Sequence, residues 1–226
     1  MSPTPAVAIT GDQPLVDWAW IERNAPMVGE LFVEHVQLTA YPVTLGLVLA
    51  FPLSLAAVRW QWLYPPLIGF AGLLFTVPSI ALFVLMVGVT GLGMTTAVVP
   101  LAIYTLLVLV RNTVEGFNGI DRDVREAAEA MGYRRARQIL TVELPLALPV
   151  IIAGLRITTV TTVGLATVAT LVGSGGLGDL FTDAVMRRFP TPALVGLVLA
   201  VLLAVALDLA LLAVQWLLTP WRRRAS

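Results

Sequence analysis

Residues 61–110 read QWLYPPLIGFAGLLFTVPSIALFVLMVGVTGLGMTTAVVPLAIYTLLVLV, fifty positions without a formal charge. The thirty-three residues that follow, RNTVEGFNGIDRDVREAAEAMGYRRARQILTVE (111–143), carry twelve. A helix that crosses a bilayer needs about 20 mostly apolar residues. The first stretch therefore predicts two membrane crossings, divided at Gly88, Gly91 and Gly93, and the second a polar body at the membrane surface.

Composition agrees. Of the 226 residues 58% are hydrophobic and 12% charged, with a mean hydropathy of +0.89, too little polar surface to cover a soluble globule of this size. The opening, Met1 to Gln13, has no basic segment followed by an apolar run, so the first span is expected to serve as the insertion signal. Cysteine is absent, which excludes disulfide and thiolate chemistry. Lysine is absent too, and all fourteen basic residues are arginine; this excludes a Walker A motif, whose lysine contacts nucleotide phosphates. Any ATP-driven step belongs to another chain, and this one is expected to bind no cofactor or metal and to be no enzyme itself.

Five spans can be placed, at about Val36–Val58, Pro66–Thr90, Met94–Val110, Leu146–Val172 and Ala193–Leu218. The odd number sets the termini on opposite faces. With the 111–143 loop cytoplasmic, that side holds ten arginines (Arg59, Arg111, Arg122, Arg125, Arg134, Arg135, Arg137, Arg222, Arg223 and Arg224) against Arg23, Arg187 and Arg188 outside. This positive-inside bias predicts an outer N-terminus and a cytoplasmic C-terminus. Three regions follow: an extracytoplasmic segment 1–34, a transmembrane domain 35–218 with its loop at 111–145, and a basic cytoplasmic tail 219–226. The acidic opening (Asp12, Asp17, Glu22, Glu30, Glu34) is expected to be a surface arm, or a short interfacial helix anchored by Trp18 and Trp20.

The charged loop has internal order. Asp121 can cap a helix start, Asp123, Glu126 and Glu129 fill its early turns, and Gly132 sits where a left-handed cap would end it. Arg134 to Thr141 then reads as a second short helix, stopped by Pro145. Two short helices meeting at a glycine make a compact protrusion. Small Ala127, Ala128 and Ala130 beside Met131 leave its surface flat enough to enter a groove on a partner.

Glu126-Ala127-Ala128, three residues, Gly132, nine residues, then Val142-Glu143-Leu144-Pro145 resembles the EAA signature of ATP-binding-cassette importer permeases, with Val142 where Ile is more usual. The resemblance implies an all-α integral membrane protein of the type I importer permease fold, with about five transmembrane helices and a cytoplasmic coupling-helix loop. It implies that Glu126, Ala127, Ala128, Gly132, Val142, Leu144 and Pro145 couple the chain to an ATPase subunit, which would hold the ATP and Mg. A coupling helix of this kind passes a two-state motion between subunits. The other implied partners are a second permease subunit, identical or paralogous, and an extracytoplasmic binding protein that selects the solute, in the plasma membrane of a bacterium.

A second segment narrows the subfamily. Ala153 to Thr159 and Leu171 to Asp179, with His35 ahead of a span and the run Glu143 to Pro149, are similar to osmoprotectant permeases, which import glycine betaine, choline, carnitine or proline. The resemblance extends over residues 35–218. Methionine-importer permeases share the size, the five-span plan and a glycine-rich exit, and form the alternative. An ion-coupled secondary transporter or channel is a further rival that gives no reason for the EAA spacing.

Gly173-Ser174-Gly175-Gly176-Leu177-Gly178 permits positive-φ backbone and close approach of other chains. Irregular backbone at membrane depth must be buried in protein or line a wet cavity. The run therefore reads equally as a pathway gate and as an outer turn leading into the amphipathic piece Leu180 to Phe189. Arg156 and Asp208 lie inside spans, where a charge costs on the order of 3 kcal/mol. Separate structural roles are expected for them, with a pair, in one subunit or across a dimer, as the alternative. Tyr41, Phe51, Phe70, Phe75, Phe83 and Tyr104 are expected to pack rather than to form a cation–π cage. An intramembrane serine protease using Ser174 and the single histidine, His35, is disfavoured, since His35 is expected at the outer end of its span and no fuller signature accompanies it.

Overall fold

The computed structural model describes residues 15–221. The expectations for Asp12, Arg222, Arg223 and Arg224, and for most of the 219–226 tail, lie outside the described residues. Apolar length decides the layout. Helices α1 (Trp18–Arg59), α4 (Met94–Asn118) and α9 (Pro190–Leu218), and the rod containing α7 (Leu144–Ala169), are each long and apolar enough to cross a bilayer. Two shorter helices, α2 (Tyr64–Thr76) and α3 (Ser79–Thr90), bent by 91° to one another, make up a fifth crossing where the bent pair counts as one span. The second expected span is thus broken, not straight.

The break has a local cause. A residue before proline is pushed out of the helical region, and Val77, ahead of Pro78, has ψ 128°. Pro78 also supplies no N–H. The Val77 carbonyl is not left bare in the apolar interior, because the Tyr104 hydroxyl on α4 donates to it. Phe75 meets Tyr104 edge-on at 5.7 Å.

The N-terminal stretch corrects the expectation of an arm or a separate short helix. From Trp18 the chain is one helix of 42 residues, about 63 Å at 1.5 Å per residue, roughly twice the hydrocarbon thickness. Asp17 caps it, its carboxylate accepting from the Trp20 N–H at 3.0 Å. Trp20 packs with Leu177 and Leu180 and meets Phe189 edge-on at 6.1 Å, so the boundary drawn between residues 34 and 35 falls inside a packed helix. His35 is likewise not at an outer end. It is fully buried, and its Nε2 lies 3.1 Å from the Val163 carbonyl on α7, which places the ring proton on Nε2.

Helix crossings are close because they are built on glycine. A Cβ at Gly46 of α1 would come within 1.7 Å of Thr105 Oγ1 on α4, and one at Gly154 of α7 within 2.4 Å of Asn112 Cβ on α4. Without a hydrophobic drive between helices in lipid, such small-residue contacts let backbones approach and dispersion accumulate. Leu38, Phe83, Ala97, Leu101, Ala166, Ala169 and Val172 form one buried cluster, and Phe117, Ile120, Ala147 and Ile151 another at the charged end. Of the six aromatic residues expected to pack, Phe83 and Tyr104 are buried, whereas Tyr41, Phe70 and Phe75 are exposed.

The two intramembrane charges do not have separate roles. Arg156 donates to Asp208 through both Nε and Nη2, at 2.8 and 2.7 Å, and the fork ties α7 to α9. Each neutralises a charge that lipid would penalise.

Two outcomes follow for the folded protein in detergent. Gly46→Ala should lower its thermal midpoint, at an overpacking cost of about 1–3 kcal/mol, and Thr105→Ala in the same chain should recover part of that loss; an unchanged midpoint for Gly46→Ala would deny the contact. Asp208→Leu should reduce the inserted yield by leaving Arg156 unpaired, a cost of about 3 kcal/mol. Adding Arg156→Met should restore the yield, and equal yields from the single and double variants would show that the pair carries no weight.

Candidate functional site

The charged end is organised around α5 (Arg122–Ala130). Asp121 caps it as expected, accepting from the Asp123 N–H at 3.0 Å, and Arg122 pairs with Glu126 at 2.7 Å one turn on. The Gly132 N–H bonds the Glu129 carbonyl at 2.9 Å and the Tyr133 N–H the Ala128 carbonyl at 3.1 Å, the two bonds of a Schellman cap. Gly132 supplies the left-handed residue this cap needs, at φ 77°. The expected flat alanine face is divided, however. Ala128 is buried, while Glu126, Ala127, Ala130, Met131 and Gly132 are exposed.

Beyond the cap, the expected stop at Pro145 does not occur. Helix α6 (Arg135–Gln138) passes into a π-helical turn, Ile139–Glu143, and then into α7 without a break. Pro145 has no N–H for the Thr141 carbonyl, so the winding widens, and the Leu144 N–H reaches back five residues to the Ile139 carbonyl. Val142, Leu144 and Pro145 are half-buried in this stretch. The result is a rod from Arg135 to Val172, ending in a 3₁₀ turn, Thr170–Val172.

One residue of this end stands in the signature but is given no role by it. The Glu143 side chain is fully buried, with Arg135 Nη1 2.5 Å from Oε1 and Arg125 Nε 3.8 Å from Oε2. Arg125 also donates to the Phe117 carbonyl at the end of α4, and buried Gln138 donates to the Arg125 carbonyl at 3.4 Å. The available signal was a single carboxylate between apolar Val142 and Leu144, downstream of an arginine-rich helix.

The far end of the rod opens into the glycine run. Gly173, Gly175 and Gly176 have φ of 68°, 74° and 84°, which L-residues with side chains resist. The Glu34 carboxylate on α1 accepts from the Gly176 N–H at 2.9 Å. A Cβ at Gly175 would sit 2.2 Å from that carboxylate, and one at Gly178 would sit 2.2 Å from the Thr167 carbonyl. The Gly93 N–H bonds the Val172 carbonyl at 3.0 Å, joining the α3–α4 turn to the same place. Ser174, Gly176, Leu177 and Gly178 are buried, and α8 (Gly178–Arg187) carries the chain onward to α9. Burial first, and the neighbouring Glu34 charge second, push the Asp179 carboxyl above its ordinary range, while Thr170 donates to it.

Ser174 Oγ and His35 Nδ1 are both without a hydrogen-bond partner, so no Ser–His bond activates the hydroxyl. A capped, exposed helix and a packed turn of left-handed glycines lie at opposite ends of one rod.

Residues 42–224 match the family described as the binding-protein-dependent transport system inner membrane component. The chain is 36% identical over 202 residues to the osmoprotectant import permease protein OsmW of Salmonella typhimurium, covering 87% of this chain and 94% of that protein. It is 34% identical over 187 residues to the glycine betaine/carnitine/choline transport system permease protein OpuCB of Bacillus subtilis, covering 83% and 86%. In fold it resembles a chain of the inward-facing MetNI methionine ABC transporter, with a TM-score of 0.79 at 24% identity, covering 88% of this chain and 99% of that one. With the capped helix at the EAA-like residues and an all-helical multi-pass body, the chain belongs to the inner membrane component family of binding-protein-dependent transport systems, as an ABC importer permease.

Proposed function

We propose that the chain is the membrane pathway of an importer for osmoprotectants of the glycine betaine, choline, carnitine and proline class. The observation that carries the solute class is the identity of 34–36% to osmoprotectant permeases over more than four-fifths of both chains. The methionine alternative rests on a likeness of fold at 24% identity. Orientation follows the arginine bias: α5 on the cytoplasmic side, the glycine run on the outer side.

In this reading exposed Glu126, Ala127, Met131 and Gly132 meet a partner ATPase that holds ATP and Mg, and Ala128 seats α5 against its own subunit. Five helices are too few to enclose an alternating-access path, so a second permease subunit completes it, and an outer binding protein delivers the solute. ATP binding draws the two coupling helices together and opens the path outward; hydrolysis resets it. The glycine run is the outer gate, held shut against α1 by Glu34.

The test is uptake of labelled glycine betaine, choline, carnitine, proline and methionine in a strain lacking this gene, with and without complementation and osmotic stress. Loss of betaine-type uptake, restored by the wild-type gene, is expected; loss of methionine uptake alone would discard the osmoprotectant reading. Gly132→Asp should insert normally yet lose transport, because a left-handed conformation costs a residue with a side chain about 1–2 kcal/mol and the new charge faces the docking partner. Gly175→Ala should cut uptake while leaving co-purification with the ATPase intact, since its methyl group collides with Glu34. Wild-type uptake by Gly175→Ala would remove the gate assignment.

A further inference from the structure

We propose that Glu143 is the positioning residue through which α5 drives α7, with Arg135 as an arm already closed on it and Arg125 as an arm that closes when α5 moves. This rests on the permease reading above. The geometry is asymmetric. Arg135 Nη1 is 2.5 Å from Oε1, a made contact, whereas Arg125 Nε is 3.8 Å from Oε2, about 0.9 Å beyond a charge-assisted hydrogen bond. Both facing atoms, Arg125 Nε and Glu143 Oε2, are buried without a hydrogen-bond partner. An ion pair between a buried carboxylate and a half-buried arginine that stops short of a hydrogen bond is a contact able to tighten.

Arg125 is placed to sense α5. It lies one turn before buried Ala128, on the same side of the helix, and its guanidinium and carbonyl are also held by Phe117 at the end of α4 and by Gln138 of α6. A shift of α5 by less than an ångström toward α7 brings Nε into bonding range, and the reverse shift releases it. Glu143 receives that motion near the start of a 38-residue rod, about 44 Å at helical rise from the other end, which opens into the glycine run. The π-helical turn that ends at Glu143 is a local change of winding of the kind frequent at functional sites.

Stability gives no reason for a carboxylate here. Replacing a buried ion pair by apolar residues is often neutral or stabilising, whereas stranding one charge is costly. A contact of this kind with two arrangements, both biased by α5, is what coupling between distant sites requires.

The experiment uses the full transporter, with its ATPase and binding protein, in proteoliposomes, and reads labelled glycine betaine imported per ATP hydrolysed. Glu143→Gln keeps the size and a hydrogen bond to Arg135 but not the charge that draws Arg125; Arg125→Gln removes the open arm and, being partly exposed, leaves the fold less affected. Each should lower import per ATP about tenfold or more with hydrolysis continuing. A wild-type ratio in either variant overturns the proposal. Exchanging the closed pair, Arg135→Glu with Glu143→Arg, restores opposite charges but sets Arg125 against an arginine. Assembly without coupling in that double variant supports the clamp, and full recovery of both overturns it by making the pair merely structural. If the wild-type complex imports nothing when given ATP and binding protein, the permease reading itself fails, and the clamp with it.

Discussion

Hydrocarbon solvates neither backbone polar groups nor charge, so each departure from regular helix in this chain has to be met by a partner supplied from the protein itself. The structure meets the requirement side chain by side chain. Tyr104 bonds the carbonyl at the Val77–Pro78 break, Glu34 takes the Gly176 N–H at the glycine run, and Asp208 neutralises Arg156. Hydroxyls inside the spans fold back on their own helices, as Ser54 does to Ala50, Thr158 to Gly154 and Thr162 to Thr158. These same partners tie the α2–α3 break to α4, the glycine run to α1 and α7 to α9, so satisfying polar groups and fixing the bundle are one event.

The same constraint explains what was legible in the sequence. Spans are readable because lipid demands long apolar runs, and the cap of α5 is readable because Asp121 and Gly132 act on backbone within a few residues of themselves. What escaped depends on partners far away in sequence. Arg156 and Asp208 stand 52 residues apart, and Glu34 reaches Gly176 across 142; no local pattern announces either. The length of α1 was hidden because its acidic first turns resemble a loop until Trp20 is seen packed against Leu177 and Leu180. Pro145 read as a stop because proline usually is one, and the π turn that absorbs its missing N–H has no composition of its own.

The distribution of tightness then has mechanical meaning. Crossings at Gly46 and Gly154 leave no room even for a methyl group, so α1, α4 and α7 cannot slide past one another without losing close contact. The two ends of the rod are built differently from its middle. At one end Arg125 Nε stands 3.8 Å from Glu143 Oε2, an ion pair short of a hydrogen bond; at the other, Gly175 and Gly176 hold left-handed backbone against α1. In the proposed coupling, a stiff body would carry a sub-ångström change at α5 to the glycine run, whereas a uniformly compliant bundle would lose it within the first few turns.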